Sequence, residues 1–209
     1  MEILYSDEHI VVCIKPVGIL SQADSSGGES MITELSKMYG CDIYPLHRLD
    51  KGVSGVMVYA KTKFAAAKLS CDIAEHRFKK EYLAVVHGII DGSGEMVDLL
   101  FKDSRKNKSF VVKSMRKGVK EARLSYEALK TNENCSLVRV LLHTGRTHQI
   151  RVQFASRKMP LLGDKKYGGD NKYENFALLS YCLTFKNPKT KQQMVFKADD
   201  IEFVTIYIN

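Results

Sequence analysis

The sequence has no run approaching the ~20 consecutive apolar residues that a helix needs to cross a bilayer, so no membrane span is expected. Its opening segment, Met1 to Ile10, carries acids at once and lacks an apolar core, which argues against a secretory signal peptide. Both absences predict a cytoplasmic protein with no membrane partner. Internal repeats and low-complexity tracts are missing, so neither a solenoid nor a disordered linker is expected. Cysteine is scattered: Cys13, Cys41, Cys71, Cys135 and Cys182 are odd in number, and no pair has the spacing of zinc ligands or of a redox motif. Isolated buried thiols in a reducing compartment are the expectation. Acid is also in short supply. Asp and Glu total 24 against 32 Lys and Arg, for a net charge of +8. A basic surface attracts polyanions, of which nucleic acid is the commonest, so RNA or DNA is a candidate partner.

What is present suits a folded domain. Of 209 residues, 44% are hydrophobic and 27% charged, enough for a sizeable core. Glu2 to Tyr5 and Ile10 to Ile14 are apolar runs about a polar turn and read as a hairpin, ended by Pro16 and Gly18. A polar loop follows from Ser21 to Gly28. Met31, Ile32, Leu35 and Met38 have helical spacing, and Gly40 suits the stop. Val56 to Ala60 reads as a strand. Thr62 then caps a helix through about Glu75, with Phe64, Ala67, Leu69 and Ile73 available for its buried side. Tyr82 to Val86 is another strand, and Asp91 to Gly94 a turn. Three strands in a meander are expected near Phe110–Lys113, Ala122–Lys130 and Ser136–Leu142. Thr147 can cap a helix from His148 to about Arg157, and Ala177 to Ile208 reads as two or three more strands. Strands dominate, with about three helices inserted: the fold class is α+β, built on a mixed sheet.

Four segments carry candidate chemistry. His47-Arg48-Leu49-Asp50 leads into Gly52, Ser54, Gly55 and a strand, and loops held by a rigid sheet are where catalytic groups concentrate. A surface turn with a local Arg–Asp pair would look the same. His143 to Val152 places Arg146, His148 and Arg151 around a glycine turn and a helix start, where free amides favour an anion. Its two histidines, five residues apart across a turn, have no standard zinc spacing; capping with solvated charge is the plainer reading. Lys79 to Gly88 puts Tyr82 at the start of a strand, where an aromatic is more often core than catalytic. Pro160 to Gly169 is a glycine-rich loop without the Gly-Lys-Ser/Thr of a nucleotide phosphate loop, and reads as a structural turn.

Together, and in this order, the segments resemble the RluA-type pseudouridine synthase family. The family's His-Arg-Leu-Asp followed by Ser-Gly stands at His47 to Asp50 with Ser54-Gly55. Its Lys-x-Tyr-x-Ala-x-Val-x-Gly strand stands at Lys80 to Gly88, and its Gly-Arg-Thr-His-Gln-Ile-Arg run at Gly145 to Arg151. Its Gly-Asp-x-x-Tyr-Gly loop is Gly163 to Gly168, and the closing Leu-x-Phe-x-x-Pro-x-Thr is Leu183 to Thr190. Val53 stands where the family usually has threonine, and Ser180-Tyr181 where a Leu-His-Ala sequence is common. The pattern starts near residue 2, so the small N-terminal RNA-binding module of many relatives is expected to be absent.

The resemblance implies a largely antiparallel pseudouridine synthase catalytic fold, one domain over residues 1–209, acting as a monomer. It implies isomerisation of uridine to pseudouridine in ribosomal or transfer RNA, on a nucleotide flipped out of its helix or loop. Asp50 takes the catalytic position, as nucleophile towards the sugar or as the base that abstracts its proton. Arg151 is the cation that keeps this carboxylate ionised and aimed, and Tyr82 the aromatic that stacks on uracil or relays a proton. His47 and Arg48 flank Asp50 and could fill the gap left by the flipped base. Arg146, His148 and the basic arm with Arg105, Lys106 and Lys108 are expected to hold RNA. No metal and no cofactor are implied, because the reaction is neither a redox step nor a hydrolysis. A binding protein with a dead site should have lost Asp50, Tyr82 or Arg151. A glycoside hydrolase would need a second flanking carboxylate, and a metal-dependent nuclease clustered acids better placed than Asp199-Asp200.

Overall fold

The computed structural model describes residues 1–23 and 28–208, so residues 24–27 of the expected polar loop lie outside the described residues. In chain order the elements are β1 (Glu2–Ser6), β2 (Ile10–Lys15), α1 (Met31–Tyr39), β3 (Tyr44–Pro45), β4 (Ser54–Ala60), α2 (Lys63–Ala74), β5 (Lys79–His87), β6 (Ser93–Asp103), β7 (Lys108–Val112), β8 (Val119–Thr131), β9 (Cys135–Leu142), α3 (Gln149–Ser156), β10 (Leu178–Lys186), β11 (Gln193–Lys197) and α4 (Ile201–Ile208). The class is α+β as expected, and the hairpins and meander are antiparallel. The chain forms two compact units, one of residues 1–80 and 180–199, the other of residues 81–179 and 200–209.

In the first unit the strand order is β1-β2-β4-β10, with β3 on β4 and β11 on β10. The β1–β2 turn forms because the Asp7 carboxylate accepts from the amides of His9 at 2.7 Å and Ile10 at 2.8 Å. β2 and β4 pair antiparallel from Ile10↔Ala60 to Lys15↔Gly55. Ile10 to Cys13 and Val56 to Ala60 have no exposed surface, which accounts for unbroken apolar runs where a half-exposed strand would alternate. α1 starts at Ser30, whose side chain accepts from the Thr33 amide, and stops at Gly40 in the left-handed region. α2 starts at Thr62, which accepts from the Ala65 amide. Its buried side is Ala65, Leu69 and Asp72, whereas Phe64 and Ala67 are exposed. Of the expected stripe Leu69 is buried and Ile73 half-buried, and an acid joins the buried face, where Arg77 donates to Asp72 through Nε at 3.0 Å and through Nη2.

In the second unit the order is β5-β9-β8-β6-β7. The sequence reading missed β6, an 11-residue strand. Its inward positions are Met96, Asp98 and Leu100, and the central acid hides the alternation. Asp98 is satisfied by Gln153 Nε2 at 2.7 Å and by Arg157 Nη1 at 2.9 Å, both from α3 and its C-terminal end. Val152 of α3 packs on Leu100 and Ala122, with Tyr167 against the same cluster. Phe154 is fully buried, worth roughly 1.5–3 kcal/mol for a side chain of that kind.

Two helix expectations need correction here. The residue that caps α3 is His148, at φ 52 and with no side-chain cap bond, rather than Thr147. The Gln149 side chain takes over instead, its Oε1 accepting from the Arg146 amide at 3.0 Å and from the Thr144 hydroxyl at 2.8 Å. The last segment, Ile201 to Ile208, is a helix and not a strand, so four helices are described where about three were expected. One local and one long-range bond hold it: the Val204 amide donates to Asp200 O at 2.8 Å, and Tyr207 Oη donates to Asn175 O at 3.0 Å.

Candidate active site

Residues 46–53, between β3 and β4, carry His47, Arg48 and Asp50. Four side chains of the first unit hold this loop. Ser21, 3% exposed, accepts from the Leu49 amide at 2.9 Å and donates to the Leu49 carbonyl at 2.9 Å, so one hydroxyl serves both backbone groups of the residue before Asp50. Tyr59 Oη fixes Ser21 in turn, donating to its carbonyl at 3.0 Å. Lys15 is fully buried, and its Nζ donates to Val53 O at 2.7 Å and Pro16 O at 2.8 Å. Burial pushes the Lys15 ammonium down to about 8, with the charge of Asp50 acting in the opposite direction. The Val53 amide closes the turn on Asp50 O at 3.0 Å. Both bonds of Val53 are made by its backbone.

The fourth is His47, whose ring turns into the fold. Its Nε2 accepts from the Val58 amide at 3.4 Å, and Nδ1 is buried without a hydrogen-bond partner. Burial, helped by the charge of Lys80, lowers its pKa to about 3, so the ring is neutral. That inward ring does not fit the RNA contact expected of it. Arg48 is exposed and Asp50 half-buried. The β4 end of the loop requires glycine: Gly55 has φ +119, and a Cβ there would lie 2.2 Å from Ser180 O. Ser180 closes the arrangement by donating to Val56 O at 2.9 Å.

The second unit holds Tyr82, Arg151 and the basic arm. Tyr82 lies in β5 and is 6% exposed. Arg151 is likewise 6% exposed, and its guanidinium donates bidentately to Asp164, Nε at 2.7 Å and Nη2 at 2.8 Å. The same guanidinium stacks 4.0 Å from the Phe176 ring and 5.1 Å from the Tyr167 ring. The sequence reading had placed Asp164 in a structural turn. The one signal for it is the acid inside the Gly-Asp-x-x-Tyr-Gly loop, where a Cβ on Gly163 would lie 2.5 Å from Asn175 O.

Tyr167 is the hub of this unit. Its hydroxyl accepts from the Ser109 amide at 2.8 Å and bonds His148 Nδ1 at 2.9 Å. Ser109 Oγ donates to Thr147 O at 2.7 Å, so β7 and the turn before α3 are fastened together. Burial raises the Tyr167 pKa, which keeps the hydroxyl protonated. Of the expected RNA contacts, Arg146 Nε is engaged with Glu121 O at 2.7 Å, and Lys108 Nζ donates to Lys166 O. Arg105 and Lys106 are exposed at the β6–β7 turn. Among the described residues no group of three or more His, Cys, Asp or Glu is placed to hold a metal ion, and no helix is long and apolar enough to cross a membrane.

Comparison with solved structures places the fold. The chain matches human RNA pseudouridylate synthase domain containing 1 with a TM-score of 0.79, at 22% identity, over 95% of this chain and 83% of that one. Sequence relatives go further. An uncharacterized RNA pseudouridine synthase of Aquifex aeolicus is 35% identical, over 99% of this chain and 72% of its own length. A tRNA pseudouridine synthase C of Vibrio parahaemolyticus is 31% identical over 95% of this chain and 89% of its own. A ribosomal large subunit pseudouridine synthase C of Buchnera aphidicola is 31% identical over 99% and 69%. The RNA pseudouridylate synthase family model matches residues 9–156. The chain belongs to that family and is an isomerase of the pseudouridine synthase type.

Proposed function

We propose that this enzyme converts uridine to pseudouridine at specific positions of structured ribosomal or transfer RNA, with Asp50 acting on a flipped-out nucleotide. The observation that carries the reading is the way the Asp50 loop is held. Ser21, Tyr59, Lys15 and His47 fix the backbone on both sides of a half-buried carboxylate, which is what a group aimed at one sugar atom needs. The reaction breaks the bond from the sugar C1′ to N1 of uracil, turns the base, and joins C1′ to C5. N1 takes up a proton, and C5 gives one up. Asp50 either attacks the sugar or removes a proton from it. Tyr82 stacks on or relays a proton for the base, and Arg151 supports the reacting carboxylate through its charge.

Relatives named for transfer RNA and for ribosomal RNA match to the same degree, 31% identity each, so both substrate classes stand. Arg48 and the exposed cations of the second unit hold the RNA. We read residues 1–209 as one catalytic domain, since the family match runs across segments of both compact units. The enzyme acts in the cytoplasm as a monomer. Exchange of one sugar bond for another needs neither metal nor cofactor.

Asp50→Asn keeps the shape and removes the charge. Pseudouridine formation should be abolished while the fold and most RNA binding persist. Measured on transfer and ribosomal RNA from a strain lacking the enzyme, residual turnover within about tenfold of wild type would sink the assignment, given the factor of ten per ~1.4 kcal/mol of barrier.

A further inference from the structure

We propose that the Gly163–Gly169 loop and the β6–β7 turn form a single phosphate-binding surface, in which Lys165 and Lys166 join Arg105 and Lys106 in gripping the substrate RNA's backbone. The inference rests on the RNA reading above and adds two residues that the sequence reading left in a structural turn. Two loops that each carry a pair of cations should repel, yet the fold ties them together at three points. Lys166 Nζ donates to Asn107 O at 3.1 Å, Lys108 Nζ donates back to Lys166 O, and the Ser109 amide donates to Tyr167 Oη at 2.8 Å. The Tyr167 ring lies 4.9 Å from Lys108 Nζ, so even the tether is cationic.

Neither nearby acid forms an ion pair with these four side chains. Asp103 Oδ1 accepts from the backbone amides of Arg105 at 3.0 Å and Lys106 at 3.1 Å, not from their side chains. Asp164, adjacent to Lys165, is fully buried on Arg151. Arg105, Lys106, Lys165 and Lys166 are all exposed, and none of them enters an ion pair among the described residues. Like charges held side by side are stabilised by a partner with closely spaced anions, and a phosphate backbone has that form.

The test is the salt dependence of binding to oligouridylate and to unfractionated transfer RNA by the full chain. Lys165→Gln with Lys166→Gln should lower the slope of log affinity against log salt by roughly 0.7 for each lost single-strand contact, and Arg105→Gln with Lys106→Gln should do the same. Tyr167→Phe keeps the ring and removes the hydroxyl that joins the loops. It should weaken binding several-fold with an unchanged circular dichroism spectrum. Lys37→Gln with Lys63→Gln removes the same charge from exposed positions in the first unit and should leave the slope at its wild-type value. The proposal is overturned if the Lys165/Lys166 pair leaves the slope unchanged, if the Lys37/Lys63 pair lowers it equally, or if Tyr167→Phe binds as wild type does. Wild-type protein that fails to bind either RNA would instead overturn the RNA reading itself.

Discussion

The hydroxyl of Ser21 is the smallest group holding the Asp50 loop and the easiest to remove cleanly. Ser21→Ala leaves the Leu49 amide and carbonyl without their partner in a buried place, and an unmet buried backbone group costs about 1–3 kcal/mol. The expected outcome is lower stability in urea together with reduced kcat and a KM near wild type, because RNA is gripped elsewhere. Ser21→Thr, which keeps the hydroxyl, should restore kcat. A Ser21→Ala enzyme with wild-type kcat would show that the loop holds Asp50 without help. The cysteines give a second residue-scale check. The sequence led to the expectation of buried thiols throughout, but Cys41 and Cys71 are exposed, while Cys13, Cys135 and Cys182 are buried. Burial pushes the Cys13 thiol up to about 12, which keeps it unreactive. A thiol reagent at neutral pH should therefore modify two cysteines quickly and the other three only on unfolding. Peptide mapping of the labelled protein decides it.

At the scale of elements, the segments with local signals were legible and those decided by tertiary contact were not. Gly40 ends α1 and Thr62 starts α2 as expected, because these caps are chemistry of neighbouring residues, whereas the start of α3 moved from Thr147 to His148. β6 was hidden by the inward Asp98, whose partners Gln153 and Arg157 lie more than 50 residues away. The same holds for the site. Asp50, Tyr82 and Arg151 stand in recognisable runs, whereas Asp164 opposite Arg151, and Ser21 on Leu49, are pairings that no spacing announces. His47 shows how far such a misreading carries into behaviour. Its pKa is depressed to about 3, so the unfolded chain takes up a proton near the ordinary 6.5 while the native ring stays neutral. This contribution to stability is full above about pH 6.5 and is lost as pH falls towards 3, by up to about 1.4 kcal/mol per pH unit. Asp7 acts in the same direction lower in the range. Its burial would raise the carboxyl, but the bonds from Ile10, Asn187, His9 and Tyr5 outweigh that and lower it. Urea midpoints measured from pH 7 to pH 4 should fall for wild type and fall less steeply for His47→Gln. Parallel curves would mean that His47 does not govern the acid limb.

At the scale of the whole molecule, the proposed chemistry and the proposed grip on RNA draw largely on different side chains. The loop of Asp50, the carboxylate proposed to react, is held by neutral or desolvated groups: a neutral imidazole, a serine, a tyrosine, and a lysine whose charge burial disfavours. Most of the cations proposed to hold RNA stand instead on exposed turns of the second unit, with Arg48 beside Asp50 as the exception. Substrate grip should thus respond to ionic strength while the bond-exchange step responds little.

The C-terminal helix has a consequence of another kind. Ile-Glu-Phe-Val-Thr-Ile-Tyr-Ile is rich in β-branched and aromatic residues, carries one charge and no proline or glycine, and is held helical by the contacts of Tyr207 and the bond to Asp200. Freed from those contacts, such a segment matches the composition of strands that stack into fibrils. Asp199 and Asp200 stand immediately before it as gatekeepers, their charge opposing in-register stacking of one chain on the next. Acid that protonates these two carboxylates while unfolding the protein would remove that protection when the segment is most exposed, so refolding from acid should lose chains to aggregation that refolding from urea at neutral pH returns intact.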